Sequence, residues 1–415
     1  MTYQMSVEFF VPSFDAFVLN SSKLNNADDM LGPAQFNKGK WIAVTCDTGD
    51  IKIEQSYQQF HPLGIYETGV AEITMKGINW SPSVNQNIMP GVKVRISAVQ
   101  EAVSGQFSNQ FTNQFLTTGW PRTQFDLFYG YILDIDETWV TGRTYPDSMV
   151  VTAVDEYHKI VKLEGDKPST VIGFNTLPSR LRALGVNAPD TTGLVTTSVD
   201  WVNSQQQFER SVYSVVGSTY VKDDKLIIDD NSVWTDKPAT MKITDVHSGP
   251  HLCYTDFDKR QRLTNVMNHI EQTNTITVMN SSNELEEKST TVIFRDDASI
   301  AYYGNSGHTV TTNLSLAQWP GNSYITAGRY PEVRTRTVDV ELRPDNVNLL
   351  PNIQDSVEFT NRGTTEKRRV AGRTLHFTPK RWEGTIKFFD FILNEPPKPQ
   401  EPGFGPFLRR ELINA

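Results

Sequence analysis

The chain has 415 residues, more than one compact core normally holds, so two to four domains are expected. Its formal net charge of −9 argues against a groove for nucleic acid, because an acidic surface repels a polyanion. With 26 Gly, 22 Pro and 21% charged residues, the composition indicates many strands joined by turns rather than long helices.

The first segments alternate apolar and polar residues in short runs. Residues 1–35 begin with such a run and then become polar, which predicts an N-terminal arm or edge strand followed by a loop. The run WIAVTCDTGDIKI at 41–53 predicts a hairpin that turns at 47–50. Another alternating run, VAEITMK, follows Gly69 and predicts a strand.

Residues 89–155 carry the strongest strand pattern. Three strands are predicted there: one after the Pro-Gly turn at 90–91, one that Gly130 precedes and that ends near Trp139, and one over 149–154. The third is almost wholly apolar, as a strand covered on both faces would be. The residues expected on the apolar face of the second strand are Tyr131, Leu133 and Ile135.

A polar insertion at 103–121 interrupts this stretch. It spaces Phe107, Phe111 and Phe115 four residues apart among Gln, Asn, Ser and Thr. Either a long hairpin loop or an extended β-arm lying on a neighbouring subunit fits this pattern. The three aromatic rings could also stack on sugars or bases, but the acidic chain has no accompanying basic stripe, so packing is the favoured interpretation.

The middle of the chain changes period. Two runs, at 174–185 and 204–217, space apolar residues as helices do and end at Gly. TYVKDDKLIID predicts a hairpin turned at Asp223-Asp224, and a short helix is predicted near Asp258–Ile270. These elements predict a small α+β insertion.

The strand plan of 89–155 recurs near the other end of the chain. Val357 and Phe359 alternate with polar residues, Gly372 precedes an amphipathic strand, and Trp382 closes it before a further strand begins. Both copies have a charged strand, a Gly, an amphipathic strand, a Trp and a final strand. We therefore predict an internal structural duplication. The fold class expected is mainly β with a small α+β insertion, two related tube-type β-barrel domains and peripheral domains.

The predicted division of the chain is as follows: an N-terminal arm at 1–35, a first tube-like β domain at 36–165, the α+β insertion at 166–260, a segment of helix plus strands at 261–330, a second tube-like β domain at 331–395 and a Pro/Gly-rich tail at 396–415. The tail cannot build a core of its own. It is expected either to be disordered or to dock along another chain.

Two cysteines, Cys46 and Cys253, lie far apart in the sequence, which favours unlinked thiols in a reducing compartment over a disulfide. The first basic residue is Lys23, so a charged segment does not precede the apolar patch at 7–11, and a signal peptide is not expected. The sequence has no apolar run long enough to span a bilayer.

Catalytic, cofactor-binding and metal-ligating residues are not predicted, and no cofactor is expected. The cluster with the most metal-like composition is HSGPHLC at 247–253 with Asp245 and Asp256, but Gly249 and Pro250 prevent the helix that would align its two histidines. We interpret it as a turn. The acidic pairs lack the spacing of a calcium loop and are interpreted as turn formers; they are Asp223 with Asp224, Asp229 with Asp230, and Asp296 with Asp297.

The ordered set of motifs resembles one family. GVAEITMKGINWSP, MPGVKVRI, LFYGYILDIDETW and MVVTAVDEYHKIVKLE resemble the first tube domain of tail-hub proteins of long, non-contractile-tailed phages of Gram-positive, actinobacterial-type hosts. LPSRLRALGV and FERSVYSVVGSTYVKDDKLIIDD resemble the helical insertion and its hairpin, and RLTNVMNHIEQTNTITV with RDDASIAYYG resembles the next segment. DSVEF together with RRVAGRTLHFTPKRWEGTIKF resembles the closing tube domain, so the likeness covers about 40–395 in order.

The resemblance implies a structural virion protein at the tail tip. Such hubs are homotrimers whose two tube domains per chain make a pseudo-sixfold ring, which joins the six-fold tail tube to three-fold tip proteins. The implied partners are distal tail or tail-tube proteins above, a tape measure protein in the lumen and tip or receptor-binding proteins below. Phage DNA would pass without specific binding, past an acidic lumen. Some relatives continue into a long domain that binds or digests the host envelope; this chain ends soon after the second tube domain, which argues against a peptidoglycan or receptor activity.

Two alternatives stay open at this point. One is a hexameric distal tail ring protein, which would have one tube domain and a peripheral β-domain. The other is an envelope-binding or envelope-degrading enzyme of the tail tip, which would need a concave site with converging carboxylates or a metal.

Overall fold

The strands are numbered along the chain of a computed structural model, which describes residues 3–12, 39–58, 66–83, 85, 88–100, 123–161, 205, 208, 218–223, 225–229, 238–246, 249–260, 266–282, 284–312, 325, 328–329 and 334–389. The loop at 103–121, the tail at 396–415, the helix predicted at 174–185 and nearly all of the one predicted at 204–217 lie outside these residues. None of the described helices is both long and apolar enough to cross a membrane.

Seven strands form the first repeat: β1 (Gln4–Pro12), β2 (Gly39–Ala43), β3 (Thr48–Ser56), β4 (Val70–Lys76), β5 (Lys93–Gln100), β6 (Thr123–Thr138) and β7 (Ser148–Val154). Six form the second repeat: β10 (Met241–Thr244), β11 (Leu252–Arg260), β15 (Arg334–Leu342), β16 (Ser356–Asn361), β17 (Thr364–Phe377) and β18 (Trp382–Phe388). The remaining strands are β8 (Ser218–Lys222), β9 (Lys225–Asp229), β12 (His269–Met279), β13 (Leu285–Arg295) and β14 (Gly307–Thr312). The described helices are α1 (Gly77–Trp80), α2 (Tyr157–Val161) and α3 (Asp297–Tyr303), with 3₁₀ turns at Thr45–Asp47 and Val347–Leu349.

The two repeats share one sheet order. In the first repeat the neighbours run β3-β4-β7-β6-β5, and in the second they run β11-β15-β18-β17-β16. Every neighbouring pair in both series is antiparallel, and the strands follow one another along the chain in the same sequence. The predicted fold class, mainly β with two related β domains, is confirmed at the level of this shared strand order.

The repeats differ in how the series closes. In the second, β10 pairs in parallel with both β16 and β11, and β16 also pairs with β17, so six strands form a closed barrel. In the first, β1 pairs antiparallel with β5, and β2 extends the sheet beyond β1. Among the described residues, the outer edge of β2 has no strand beside it.

The long strand β17 joins the repeats. Its second half pairs with β18 and also with β3, in a register that places Arg373 opposite Gln55 and Phe377 opposite Ile51. The result is one thirteen-stranded sheet. Its inward positions are apolar and buried, including Ile53 on β3 and Leu375 on β17. Along most strands inward apolar residues alternate with outward polar ones, which gives the sheet a core face and a polar face. β17 departs from this over 368–373, where every residue is buried, including Arg368, Arg369 and Arg373.

Some smaller elements follow β7 along the chain, and others are inserted between β11 and β15 of the second repeat. β8 and β9 form the predicted hairpin, with Asp223 at a φ of 56 in its turn. β13, β12 and β14 form a separate three-stranded sheet. The helix α3 begins after Asp296, whose side chain accepts a hydrogen bond from the backbone N–H of Ser299.

Two predicted elements are wrong. The hairpin at 47–50 does not form, because β2 pairs with β1 while β3 pairs with β4 and β17, and the 3₁₀ turn between them makes a corner. The helix near Asp258–Ile270 is replaced at its described positions by the ends of β11 and β12, with 266–268 as irregular backbone between the undescribed 261–265 and β12. Its helical spacing of apolar residues reflects burial of Val266 and Met267 in the irregular segment and of Ile270 at the start of β12.

The boundaries of strands also differ from those predicted. Gly130 and Gly372 lie inside single long strands rather than before them, and Trp382 begins β18 rather than closing β17. A β-bulge between Ile132 and Asp134 shifts the inward face, so Ile132 is buried while the expected Tyr131, Leu133 and Ile135 are half-buried. The strand predicted over 149–154 is covered fully on one face and only partly on the other.

Pairing also crosses the predicted domain limits. β1 comes from the predicted arm at 1–35 but belongs to the first repeat's sheet. β10 and β11 come from the predicted insertion at 166–260 but complete the second barrel. In each case the strand's partner is distant in sequence, so a local pattern does not reveal it.

Candidate functional site: the polar sheet face shared by both repeats

One row of side chains crosses seven strands on the polar face. Directly paired residues continue from strand to strand without a break at the junction between the repeats. In order the row reads Glu341, Glu383, His376, Lys52, Glu72, Thr152 and Asp134. The two repeats therefore present one continuous surface rather than two separate ones.

This face is acidic. Its exposed or half-exposed carboxylates outnumber its lysines; the acids are Glu54, Glu72, Asp134, Asp136, Asp256, Asp339, Glu341 and Glu383, and the lysines are Lys52, Lys76, Lys93 and Lys387. Glu341 and Glu383 are directly opposite each other, a like-charged arrangement that destabilises a sheet on its own. Arg381 forms an ion pair with Glu383 and offsets part of that repulsion.

Polar contacts run along the face. Lys387 of β18 donates to Glu54 Oε1 of β3 at 3.0 Å, reaching across β17 from the second repeat to the first. Thr385 Oγ1 donates to Asp339 Oδ1 at 2.6 Å. A groove of about 710 Å³ opens at this end of the face, between β15, β18 and the turn that contains Pro379.

Beneath the face, a buried arginine ties the repeats together. Arg373 Nε donates to Gln55 Oε1 at 3.0 Å, and its Nη2 donates to the carbonyl of Leu127 at 2.9 Å. Nη1 contacts the carbonyl of Pro351 at 3.3 Å and Asn352 Oδ1 at 3.4 Å. Burial lowers the pKa of Arg373, and the negative charges of Asp355 and Asp223 act in the opposite direction. The guanidinium satisfies acceptors from several segments that side-chain packing alone would leave unpaired.

A buried carboxyl lies at the end of the first repeat. Asp155 follows β7 and accepts a hydrogen bond from Tyr66 Oη at 2.8 Å and one from the backbone N–H of Tyr157 at 3.1 Å. Burial raises the pKa of Asp155 to about 7, against the lowering effect of its hydrogen bonds to Tyr66, Gly69 and Tyr157. Burial also raises the pKa of Tyr66, and the charge of Asp155 adds to that effect.

One histidine and the cysteine of the HSGPHLC cluster contact the same main-chain oxygen. His251 Nε2 lies 2.6 Å from the carbonyl of Val246, and Cys253 Sγ lies 3.2 Å from the same oxygen. Asp245 accepts the backbone N–H of Arg362, and His247 lies outside the described residues. Within the described ranges, no three His, Cys, Asp or Glu side chains come together as a metal site.

Sequence reasoning did not identify the residues of this face or of the junction. The face follows from pairing between strands far apart in the chain. Arg373 had a weak signal, since it is a single charge within the buried run VAGRTLHF. A cation in such a run indicates a partner for its guanidinium, but the sequence does not show which one.

The fold is similar to those of solved tail proteins. Neither a protein-family model nor a curated protein matches the sequence. The structure is similar to that of a tail protein from Neisseria meningitidis MC58, with a TM-score of 0.53, 10% identity, and coverage of 95% of this chain and 97% of that one. It is also similar to a 43 kDa tail protein of prophage MuSo2 from Shewanella oneidensis, with a TM-score of 0.50, 11% identity, and coverage of 84% and 95%. The chain has the fold of phage tail proteins.

Proposed function

We propose that the chain is a structural tail hub protein of a long, non-contractile-tailed phage, located at the tail tip. The observation that carries the proposal is the repeated five-strand order with one continuous acidic face, in a chain with the fold of phage tail proteins. The sequence resemblance adds a Gram-positive host. The proposed role is assembly, without enzymatic activity or a cofactor.

The repeat supports a trimer. Two similar sheets in each chain give three chains six similar positions around an axis, which suits an adaptor between a six-fold tube and three-fold tip proteins. Direct pairing of β3 with β17 fixes the two repeats in one sheet, so their relative positions are set within each chain. A hexameric distal tail ring would need only one such repeat per chain.

The acidic face supports a channel for DNA. A polyanion passes a wall of like charge without forming the phosphate contacts that would hold it. We therefore assign the face that carries Glu72, Asp134 and Glu341 to the lumen of the ring. In this assembly a tape measure protein occupies the lumen before ejection, distal tail or tube proteins lie above, and tip or receptor-binding proteins lie below.

Native mass measurement tests the proposal. We expect a particle of three chains, each of 46.9 kDa, when the purified protein is measured by native mass spectrometry or light scattering. Six chains would favour the distal ring instead. A protein that stays monomeric up to the concentrations used for reconstitution contradicts the hub assignment.

A charge-reversal variant tests the lumen assignment. Glu72→Lys, Asp134→Lys and Glu341→Lys together should convert a ring that does not retain short linear duplex DNA into one that does, with binding that falls steeply as salt rises. The matched control carries Glu284→Lys, Glu286→Lys and Asp297→Lys, which change the charge equally at exposed sites away from the face. Equal DNA retention by the two variants would contradict the lumen assignment.

A further inference from the structure

The three-stranded sheet has two outer edges without a strand beside them among the described residues. β12 lies in the centre, β13 pairs with it antiparallel along eleven residues, and β14 pairs with it in parallel along six. Unpaired strand edges present rows of N–H and C=O groups that favour pairing with another chain.

The edge of β13 lacks the usual protection over five of its eleven residues. Residues 285–289, LEEKS, carry three charges, whereas residues 290–294, TTVIF, carry none and contain neither Pro nor Gly. Ile293 is 55% exposed, the highest value among the large hydrophobic residues of the described part. By contrast β2, the edge strand of the thirteen-stranded sheet, has only five residues and begins with Gly39 and Lys40. Short, lysine-bearing edges resist pairing and long uncharged ones invite it.

The unprotected half lies at the level of β14. Residues 269–274 of β12 pair with 290–295 of β13 on one side and with 307–312 of β14 on the other. The charged half of β13 extends past the last residue of β14. Three charges thus guard the part of the edge that has no counterpart on the opposite edge, whereas the part with a counterpart carries one charge, Arg295, at the end of β13.

We propose that β13 of one subunit pairs with β14 of the next, so that three copies of this sheet join around the axis; this rests on the proposed trimer. A ring built by rotation needs two different complementary surfaces on each subunit, and the two edges of one sheet supply them. The strand directions fit such a ring. Because β13 runs antiparallel to β12 and to β14, β13 of one subunit would pair antiparallel with β14 of the next. β14 also offers β-branched residues for such a ladder, in GHTVTT.

Disulfide trapping tests this pairing. Ile293 and Thr309 are both directly opposite Glu271, one on each side of β12. Within one chain they are therefore two strand spacings apart, about 9.6 Å, which is beyond the reach of a disulfide. In the proposed assembly they face each other across the new interface. Ile293→Cys with Thr309→Cys, in a Cys46→Ser, Cys253→Ser background, should give covalent trimers under mild oxidation.

Matched variants decide the outcome. Glu286→Cys with Thr309→Cys places one thiol on the charged half and should give at least tenfold less covalent trimer. Thr311→Cys and Gly307→Cys, each with Ile293→Cys, cover a shift of two residues in either direction. Native mass is measured on the same samples before oxidation. A native trimer that none of these cysteine pairs links would overturn the β13–β14 pairing but leave the proposed hub function standing. A monomer would overturn both proposals. Covalent dimers from Ile293→Cys alone would overturn the β13–β14 pairing in favour of pairing between two β13 strands.

Discussion

The two repeats share five strands and differ at the sixth. The first ends with β1, which runs antiparallel to β5 and leaves β2 as an edge. The second ends with β10, which runs parallel to β16 and reaches β11 to close a barrel. Closure removes an unpaired edge, and a short edge strand keeps one available. The five-strand series is thus the common unit, and the closing strand is a separate addition to each copy.

Residues at equivalent places also differ. Asp155 follows β7 in the first repeat, and Phe389 follows β18 in the second; both are buried. Phe389 packs against Tyr57 with ring centroids 5.0 Å apart, whereas Asp155 bonds to Tyr66. One repeat therefore ends in an apolar contact and the other in a titratable one, and variants at these places can separate the behaviour of the two repeats.

The largest expected loss of stability comes from a substitution at the junction between the two repeats, where Arg373 lies. Arg373→Met leaves the carbonyls of Leu127 and Pro351 and the side chain of Gln55 without their buried donor, so we expect the free energy of unfolding to fall by about 2–4 kcal/mol. Chemical denaturation should also change from one transition towards two, because the repeats lose their shared polar contact. Arg381→Met is the control, since Arg381 is exposed and pairs only at the surface. An equal loss of stability in both variants would show that Arg373 does not hold the repeats together.

The next effect is a pH dependence confined to the first repeat. The folded chain keeps the proton of Asp155 up to about pH 7, while the unfolded chain releases it near pH 4. Between these values the unfolded state binds fewer protons, so the contribution of Asp155 to the free energy of unfolding decreases as pH rises. The decrease amounts to about 4 kcal/mol at most.

Asp155→Asn keeps the size of the side chain and cannot ionise. Relative to this variant, the wild type should lose stability steadily from pH 4 to pH 7 and show a constant difference above that range. Urea denaturation at a series of pH values measures the difference. A difference between the two proteins that does not change with pH would mean that Asp155 is ionised throughout.

A smaller effect compares the two matched glycines. A Cβ at Gly130 would lie 2.2 Å from the carbonyl oxygen of Val154, and one at Gly372 would lie 2.6 Å from Cβ of Ser56. Gly130→Ala and Gly372→Ala should each reduce stability by about 1–3 kcal/mol, because a packed strand must shift. Gly307→Ala, in open space, serves as the control in the same thermal denaturation series. A substantial loss at only one of the two positions would break the equivalence between the repeats.

The smallest effect concerns the ion pair on the acidic face. Lys387→Gln removes the contact with Glu54, whose side chain is 50% exposed, so we expect a loss of less than about 1 kcal/mol that shrinks further in high salt. A loss comparable to that of Arg373→Met would mean that the surface contact, rather than the buried one, joins the repeats.

Local patterns predicted the strands but not their partners. Alternation located β4, β5 and β16, an apolar run located β7, and the recurring Gly and Trp positions pointed to the duplication. The closing strands were missed because β10 meets β16 more than a hundred residues along the chain. The bulge at Leu133 was missed for a related reason, since only pairing with β7 shows which side chains turn inward. Predicting the acidic face would need both the strand partners and the register at the bulge.

The most direct test of the account is an electron-microscopic reconstruction of the purified particle at a resolution that traces the strands. We predict a three-fold ring with six similar sheets around a bore, in which Glu341, Lys52 and Asp134 of each chain face the channel. A particle without a ring, or a ring whose channel is lined by other residues while this face lies outside, would contradict the central claim.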